Sequence, residues 1–300
     1  MIRLVLVELR RYFARPLMRI VAILALGGIL VGATIALFRS HPPDEFLAAQ
    51  LEKKEKRIEA CLEGGRRLPR GIPESEKENF CRYNTGPFVV DPRWHLTDLE
   101  NIFLGTSPFL IIAGWLLGAS FIGAEWNSRN LETTLTWEPR RLRLLAAKVA
   151  ALALATAVGA VALQLVLGLA MGPAALRGTT AGADAAWLLD TTEMSLRVAL
   201  VSSIAAVIGF SIAALGHGTA AALGAGFAYL AVVESLVRAW KPQWFRWLIS
   251  DNAVTLLTGE SPGVVGFAGR TMGAAAIVLV VYALVVMAAA MWWFNTRDVH

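Results

Sequence analysis

Six apolar runs of 19 or more residues set the limits on what this chain can fold into. They are residues 17–38, 106–124, 146–171, 194–215, 219–237 and 272–294. About 20 apolar residues in a helix cross the hydrocarbon core of a bilayer. Inside lipid every backbone N–H and C=O must be bonded within the segment, which leaves helices as the spanning form for runs of this kind. The chain is 56% hydrophobic with a mean hydropathy of +0.55. A soluble fold of 300 residues could not hide that much apolar surface without long polar faces. The fold class read from these runs is an all-α membrane protein with six transmembrane helices.

Basic residues give the runs a direction. Arg3, Arg10, Arg11, Arg15 and Arg19 lie before or at the start of the first run. Arg129, Arg140, Arg141, Arg143 and Lys148 cluster between the second and third. Positive charge beside spans marks the cytoplasmic side, so both termini are expected to be cytoplasmic. The net charge of +5 is spread in such blocks and is not a nucleic-acid signal. Residues 1–16 read as an amphipathic interfacial helix. Ile2, Val5, Leu6, Leu9 and Phe13 share one face, and Glu8, Arg11 and Arg15 the other. Pro16 breaks that helix and turns the chain into the bilayer. The rival reading, a cleaved signal peptide, suits the first run poorly, because 22 residues exceed the usual signal core. Gly28 and Gly32 give this span a small-xxx-small face, and Gly114 and Gly118 give one to the second.

The polar segments divide between the two sides. Residues 39–105 carry 11 Lys+Arg and 12 Asp+Glu and form an extracytoplasmic loop. Cys61 and Cys81, the only cysteines, both lie in it. Either they form a disulfide in an oxidising compartment or they are two free thiols. Closing the loop would stabilise it by about 3 kcal/mol on a chain-entropy model. Residues 172–193 form a second outer loop with Asp184, Asp190 and Glu193 against Arg177. Residues 238–271 contain KPQWFRWLI and read as an outer interfacial helix or a shallow re-entrant segment. Residues 295–300 are a short cytoplasmic tail. Inside the spans, Gln164 and Glu234 are candidates for a substrate path or vestibule. The plainer account bonds Gln164 to a neighbouring helix and leaves Glu234 at the interface.

Catalytic chemistry is not evident. There is no G-x-x-x-x-G-K-[ST] loop, no H-E-x-x-H and no C-x-x-C. The four histidines are scattered over separate segments, and His217 sits between Gly216 and Gly218 as a turn residue. No catalytic and no metal-ligating residues are assigned. Residues 125–145 attract notice instead. Asn130 can cap a helix N-terminus, Pro139 ends the helix, and Arg140, Arg141 and Arg143 follow. Leu131 and Leu135 share a face, and Trp137 offers one large ring. This is either a docking helix for a soluble partner or an ordinary amphipathic loop helix.

Gly123 to Lys148, GAEWNSRNLETTLTWEPRRLRLLAAK, resembles the signature region of the type-2 ABC transporter permeases, the transmembrane subunits of ABC exporters. The resemblance rests on Glu125, Leu135-Thr136, Pro139, Arg141 and Lys148, and on the ending with Phe294, Arg297 and Asp298. The chain departs from the family at Arg129-Asn130, where Gly-Thr is frequent, and in its long cysteine-bearing loop. The resemblance implies a permease subunit with a coupling helix at Glu125, Asn130, Leu131, Leu135, Trp137, Pro139 and Arg141. It implies two ABC ATPase subunits and a second copy of this or a related permease as partners, in the inner (plasma) membrane with its lipids. ATP and Mg would be bound by the ATPase chains, and this chain would bind no cofactor. The alternatives are an ATP-independent secondary transporter or channel, or an integral-membrane enzyme. The first should show deep charges or an inverted repeat, and the second a catalytic constellation.

Overall fold

A computed structural model describes residues 1–41, 45–63, 77, 80–82, 91–128, 136, 140–261 and 269–296. Every named element among them is helical, and six helices are long and apolar enough to cross a membrane: this is a multi-pass membrane protein. The helices are α1 (Ile2–Ala14), α2 (Pro16–Arg39), α3 (Glu45–Leu62), α4 (Leu99–Asn127), α5 (Arg141–Arg177) and α6 (Ala185–Leu215). Then come α7 (Thr219–Phe227), α8 (Glu234–Trp240), α9 (Ile249–Thr258) and α10 (Met272–Thr296). A π-helical turn, Ala228–Val233, joins α7 to α8 and makes one span of the two, Thr219–Trp240.

Several of these helices run past the apolar segments read from sequence. α4 begins at Leu99, and α6 begins at Ala185 with Asp184 as its N-cap, accepting from the Trp187 N–H at 2.9 Å. Lipid length bounds the apolar part of a helix, but helical hydrogen bonding continues into the polar flank until a cap stops it. α4 also carries Pro108, whose missing N–H would leave the Leu104 carbonyl without its helical donor. The Ser107 hydroxyl donates to that carbonyl at 2.7 Å.

The chain divides into two compact units. The first comprises Met1–Ile29, Leu99–Gly168 and Asp184–His300. Its centre is the pairing of α4 with α6. A Cβ on Gly114 would lie 2.6 Å from the Ser202 carbonyl oxygen, and one on Gly118 2.0 Å from that of Ala206. From the other side, a Cβ on Gly209 would lie 2.6 Å from the Trp115 carbonyl oxygen. The backbones touch where side chains are absent, which is how packing stabilises helices that lipid solvates equally well on all sides. The expected small-residue face of the second span is therefore used. That of the first is not used in the same way: nothing lies within 4 Å of a Cβ on Gly28, and Gly32 meets only the Met171 methyl at 3.9 Å. Leu17, Met18 and Val21 of α2 rest on the core, while Ile20, Ile23, Leu24 and Leu26 are exposed.

The second unit comprises Leu30–Asp98 and Leu169–Ala183. Thr179 donates its N–H to the Trp94 carbonyl at 3.0 Å and accepts from the Leu96 N–H at 3.0 Å. Ser40 donates to the Ala174 carbonyl at 3.1 Å. Cys61 and Cys81 are joined in a disulfide with Cα atoms 5.9 Å apart, and both are buried. Of the two readings left open for these cysteines, the structure adopts the bonded one.

Gly118→Ala should cost about 1–3 kcal/mol, since its methyl would meet backbone that cannot swing away. Gly28→Ala should leave stability unchanged or slightly raised, because it adds helix propensity in open space. Thermal unfolding of the two variants in detergent measures the difference; equal midpoints would mean that α4 and α6 are not held by close backbone contact.

Candidate functional site

The N-terminal helix turns Glu8 and Arg15 toward the protein and leaves Arg3, Arg10 and Arg11 exposed. Glu8, Tyr12 and Arg15 recur at helical spacing, and Glu8 and Tyr12 are each 1% exposed. The apolar residues Ile2, Leu6 and Phe13 of the opposite face are exposed. The inward side of α1 thus mixes the two faces read from sequence: Glu8 and Arg15 of the polar one lie beside Leu9 of the apolar one, which packs on the core, while Arg11 stays exposed.

The inward face meets α4 and α5 in a buried ion network. Lys148 of α5 is fully buried, its Nζ 2.7 Å from Glu8 Oε2 and 2.9 Å from Glu125 Oε1. Arg15 donates through Nη2 to the same Glu125 oxygen at 2.9 Å and through Nη1 to the Ser120 carbonyl at 2.9 Å. Arg11, half-exposed, reaches Glu8 Oε1 at 3.0 Å. The ring of Phe121 lies beneath both cations, 4.6 Å from the Arg15 guanidinium and 5.2 Å from the Lys148 nitrogen. Tyr12 meets the same ring edge-on at 5.5 Å. Burial pulls the Arg15 guanidinium below its ordinary value, and Glu125 and Glu8 oppose that pull.

Each charge has a reason to need the others. Glu125 lies in the last turn of α4, where the helix dipole disfavours an anion. Lys148 opens an apolar run, and an unpaired ammonium there would be expelled or neutralised. Two buried carboxylates meet Lys148, Arg15 and the half-exposed Arg11, so neither acid lacks a cation. Glu125 Oε2 remains buried without a donor among the described residues.

Of the residues singled out from sequence, Glu125 belongs to this network. Arg141 begins α5 and donates to the Phe294 carbonyl of α10 at 3.4 Å. Phe294 is buried and packs edge-on against Trp126 at 6.3 Å. Asn130, Leu131, Leu135, Trp137 and Pro139 lie outside the described residues, as do Arg297 and Asp298. Gln164 is buried on α5 and accepts from the Ser195 hydroxyl of α6 at 2.7 Å. Glu234 is 3% exposed and belongs to a separate set of contacts with Arg238 and Ser250. It is therefore an enclosed group rather than one resting at an interface. His217 has φ 56° in the turn between α6 and α7, with the Trp126 ring edge-on at 4.4 Å.

Sequence reading missed Glu8. The signal was present: a lone acid in a basic helix, one turn from Tyr12 and two from Arg15, in a chain with an unpaired lysine opening an apolar run. Comparison with family models, curated proteins and solved structures finds no match for this chain.

Lys148→Met should destabilise the fold by about 3–5 kcal/mol, because it leaves Glu8 and Glu125 short of a cation in a dry site. Adding Glu8→Gln to that variant should recover part of the loss, while Arg11→Ala should cost no more than about 1 kcal/mol. Chemical unfolding in detergent across this cycle gives the coupling; strict additivity of Lys148 and Glu8 would dissolve the network.

Proposed function

We propose that this chain is the transmembrane permease subunit of an ATP-driven ABC exporter. It forms the substrate path and couples to a separate ATPase subunit through residues 125–145. The observation that carries this reading is where the buried ion network sits. Glu125 and Lys148 flank the 125–145 segment and are bonded to each other. Both ends of the segment are thereby fastened to one another and, through Glu8 and Arg15, to α1. A partner that grips the segment moves α1, α4 and α5 together, which is the mechanical requirement for turning a partner's closure into motion of spans.

On this reading both termini are cytoplasmic and α1 lies along the inner face of the plasma membrane. Its exposed Ile2, Leu6 and Phe13 enter the lipid, while Glu8 and Arg15 hold it to the spans. Arg140 and Arg143 face the anionic leaflet or acidic groups of the ATPase. The chain has no phosphate loop, so ATP and Mg belong to the two partner ATPases, and a second permease copy completes the path. The exposed apolar side of α2 is available to that copy or to lipid. Gln164 is buried and accepts from Ser195 of α6, which favours the plainer account of a helix-to-helix bond over a place on the path. A second reading, an ATP-independent secondary transporter, is favoured by one observation: Glu234 is enclosed at the end of a span.

The purified chain should hydrolyse no ATP, and transport in proteoliposomes should require the ATPase subunit and ATP. Transport driven by an ion gradient alone would favour the second reading. Trp137→Ala should weaken ATPase association by about 2 kcal/mol or more, and Leu135→Asp should abolish co-purification. If both variants retain the ATPase at the wild-type ratio with normal transport, the segment has no coupling role.

The orientation has its own measurement. After mild reduction, a membrane-impermeant maleimide should label Cys61 and Cys81 in intact cells, and should label neither before reduction. Labelling that also requires permeabilised membranes would invert the topology.

A further inference from the structure

The far end of the fifth span holds two carboxylates for one cation. Glu234 and Asp251 are 3% and 4% exposed. Arg238, one helical turn after Glu234, places Nη2 3.3 Å from Glu234 Oε2 and Nη1 3.1 Å from Asp251 Oδ1. The two acids therefore straddle one guanidinium, itself half-exposed. The π-helical turn just before Glu234 sets this register: the Glu234 N–H reaches back five residues to the Tyr229 carbonyl. The Tyr229 hydroxyl in turn accepts from the Ile249 N–H at 3.3 Å.

The two carboxylates are not equivalent. Glu234 is well supplied with donors. Its Oε1 accepts from the Ser250 N–H at 3.0 Å, at the start of α9, where Leu248 offers no side-chain cap. Its Oε2 accepts from the Ser250 hydroxyl and from Arg238. Glu234 thus caps α9 from another helix, a position that favours an anion. Asp251 has Arg238 on Oδ1, while its Oδ2 is buried without a hydrogen-bond partner among the described residues. A buried carboxylate oxygen with no donor is costly while it is charged. Other charged and titratable groups on the elements around α9 are engaged elsewhere. Tyr282 of α10 donates to the Trp247 carbonyl at 2.9 Å. Arg270 lies over the Trp247 ring at 4.8 Å, and Lys241 over that of Trp240 at 5.6 Å. On α6, Arg197 pairs with Glu193. The Arg246 carbonyl accepts from Asn252, and the charges that bear on Asp251 are Arg238 and Glu234.

We propose that Glu234 and Asp251 form a proton-binding site, in which the hydrogen bonds of Glu234 are taken up by Arg238 and the start of α9 and the proton is carried on Asp251 Oδ2. A proton from solvent forms one O–H bond there and removes the single excess negative charge. Two carboxylates sharing one guanidinium favour a proton on one of them, and Asp251 Oδ2 is the oxygen without a donor among the described residues. Burial raises the proton affinity of Asp251 above the ordinary carboxylate range, Arg238 opposes this and Glu234 adds to it. The inference rests on neither functional reading above.

A group that binds its proton more tightly when folded stabilises the fold at low pH and loses that stabilisation as pH rises through its folded value. The full-length protein in lipid nanodiscs, free of any partner, supplies the test. Its thermal midpoint should fall by about 2 °C or more between about pH 5 and about pH 8. Asp251→Asn should remove that fall and keep the midpoint high. Glu234→Gln should remove it too, because Arg238 then serves Asp251 alone. Infrared difference spectra provide a readout independent of variant stability. The wild type should show a protonated-carboxyl stretch that shifts in heavy water and is absent from both variants. Survival of that band and of the pH slope in Asp251→Asn would overturn the proposal. So would a wild-type midpoint at the higher pH that rises with sodium or potassium in place of protons, which would make this a cation site.

Discussion

An ammonium group that water does not reach has to be held by something, and in this protein Lys148 decides what is next to what. Removing a lysine charge from water costs several kcal/mol, recovered only when anions are close and well placed. Glu8 and Glu125 supply them at 2.7 and 2.9 Å. That requirement fixes α1 against the bundle, sets its rotation, and ties the end of α4 to the start of α5. An apolar contact could slide by a residue or rotate by a few tens of degrees at small cost. A buried ion pair cannot, because any displacement leaves a bare charge.

The α4–α6 contact has a different character. There the constraint is steric: Gly114, Gly118 and Gly209 let backbone meet backbone, and one methyl group would part the helices. Steric and electrostatic constraints divide the first unit between them. The glycine seam gives a rigid pair of spans at its centre, and the ion network fastens the less buried α1 to it. By contrast, α2 touches the core only near its start and leaves much of its length exposed. In lipid an exposed apolar helix is no defect, since acyl chains solvate it as well as protein does.

The spans were legible because a bilayer imposes length and composition on a helix, and both are local properties of the sequence. The glycine face of α4 was legible for the same reason, yet an identical spacing in α2 has no comparable use, since spacing cannot say which face will find a partner. The disulfide followed from two cysteines in one loop. Glu8 was read as part of a solvated face, because amphipathicity sorts residues into two sides without saying which side is buried. The helical moment of α1 is the same whether lipid or protein takes its apolar stripe. Lys148 was assigned to a basic cluster by its neighbours in sequence, when its partners lie 140 and 23 residues away. Pairings at that separation are set by tertiary structure and leave only the weaker trace of a charge with no local counterion.

Charge balance separates the two buried clusters by what they can do. Around Lys148 two acids meet three bases, Lys148, Arg15 and the half-exposed Arg11, and no carboxylate is in excess. Each acid there has a cation within hydrogen-bonding distance, so the cluster behaves as a fixed joint. Around Arg238 two acids meet one base, and the sum is zero only when a proton is added. The same buried setting that locks the first cluster makes the second responsive, because its neutral state depends on something the solvent supplies. The structural devices match the roles. The joint is built on the ends of α-helices packed into the core, and the responsive pair hangs on a π-helical turn and a short helix outside the six spans. The count of charges in each tells the two clusters apart.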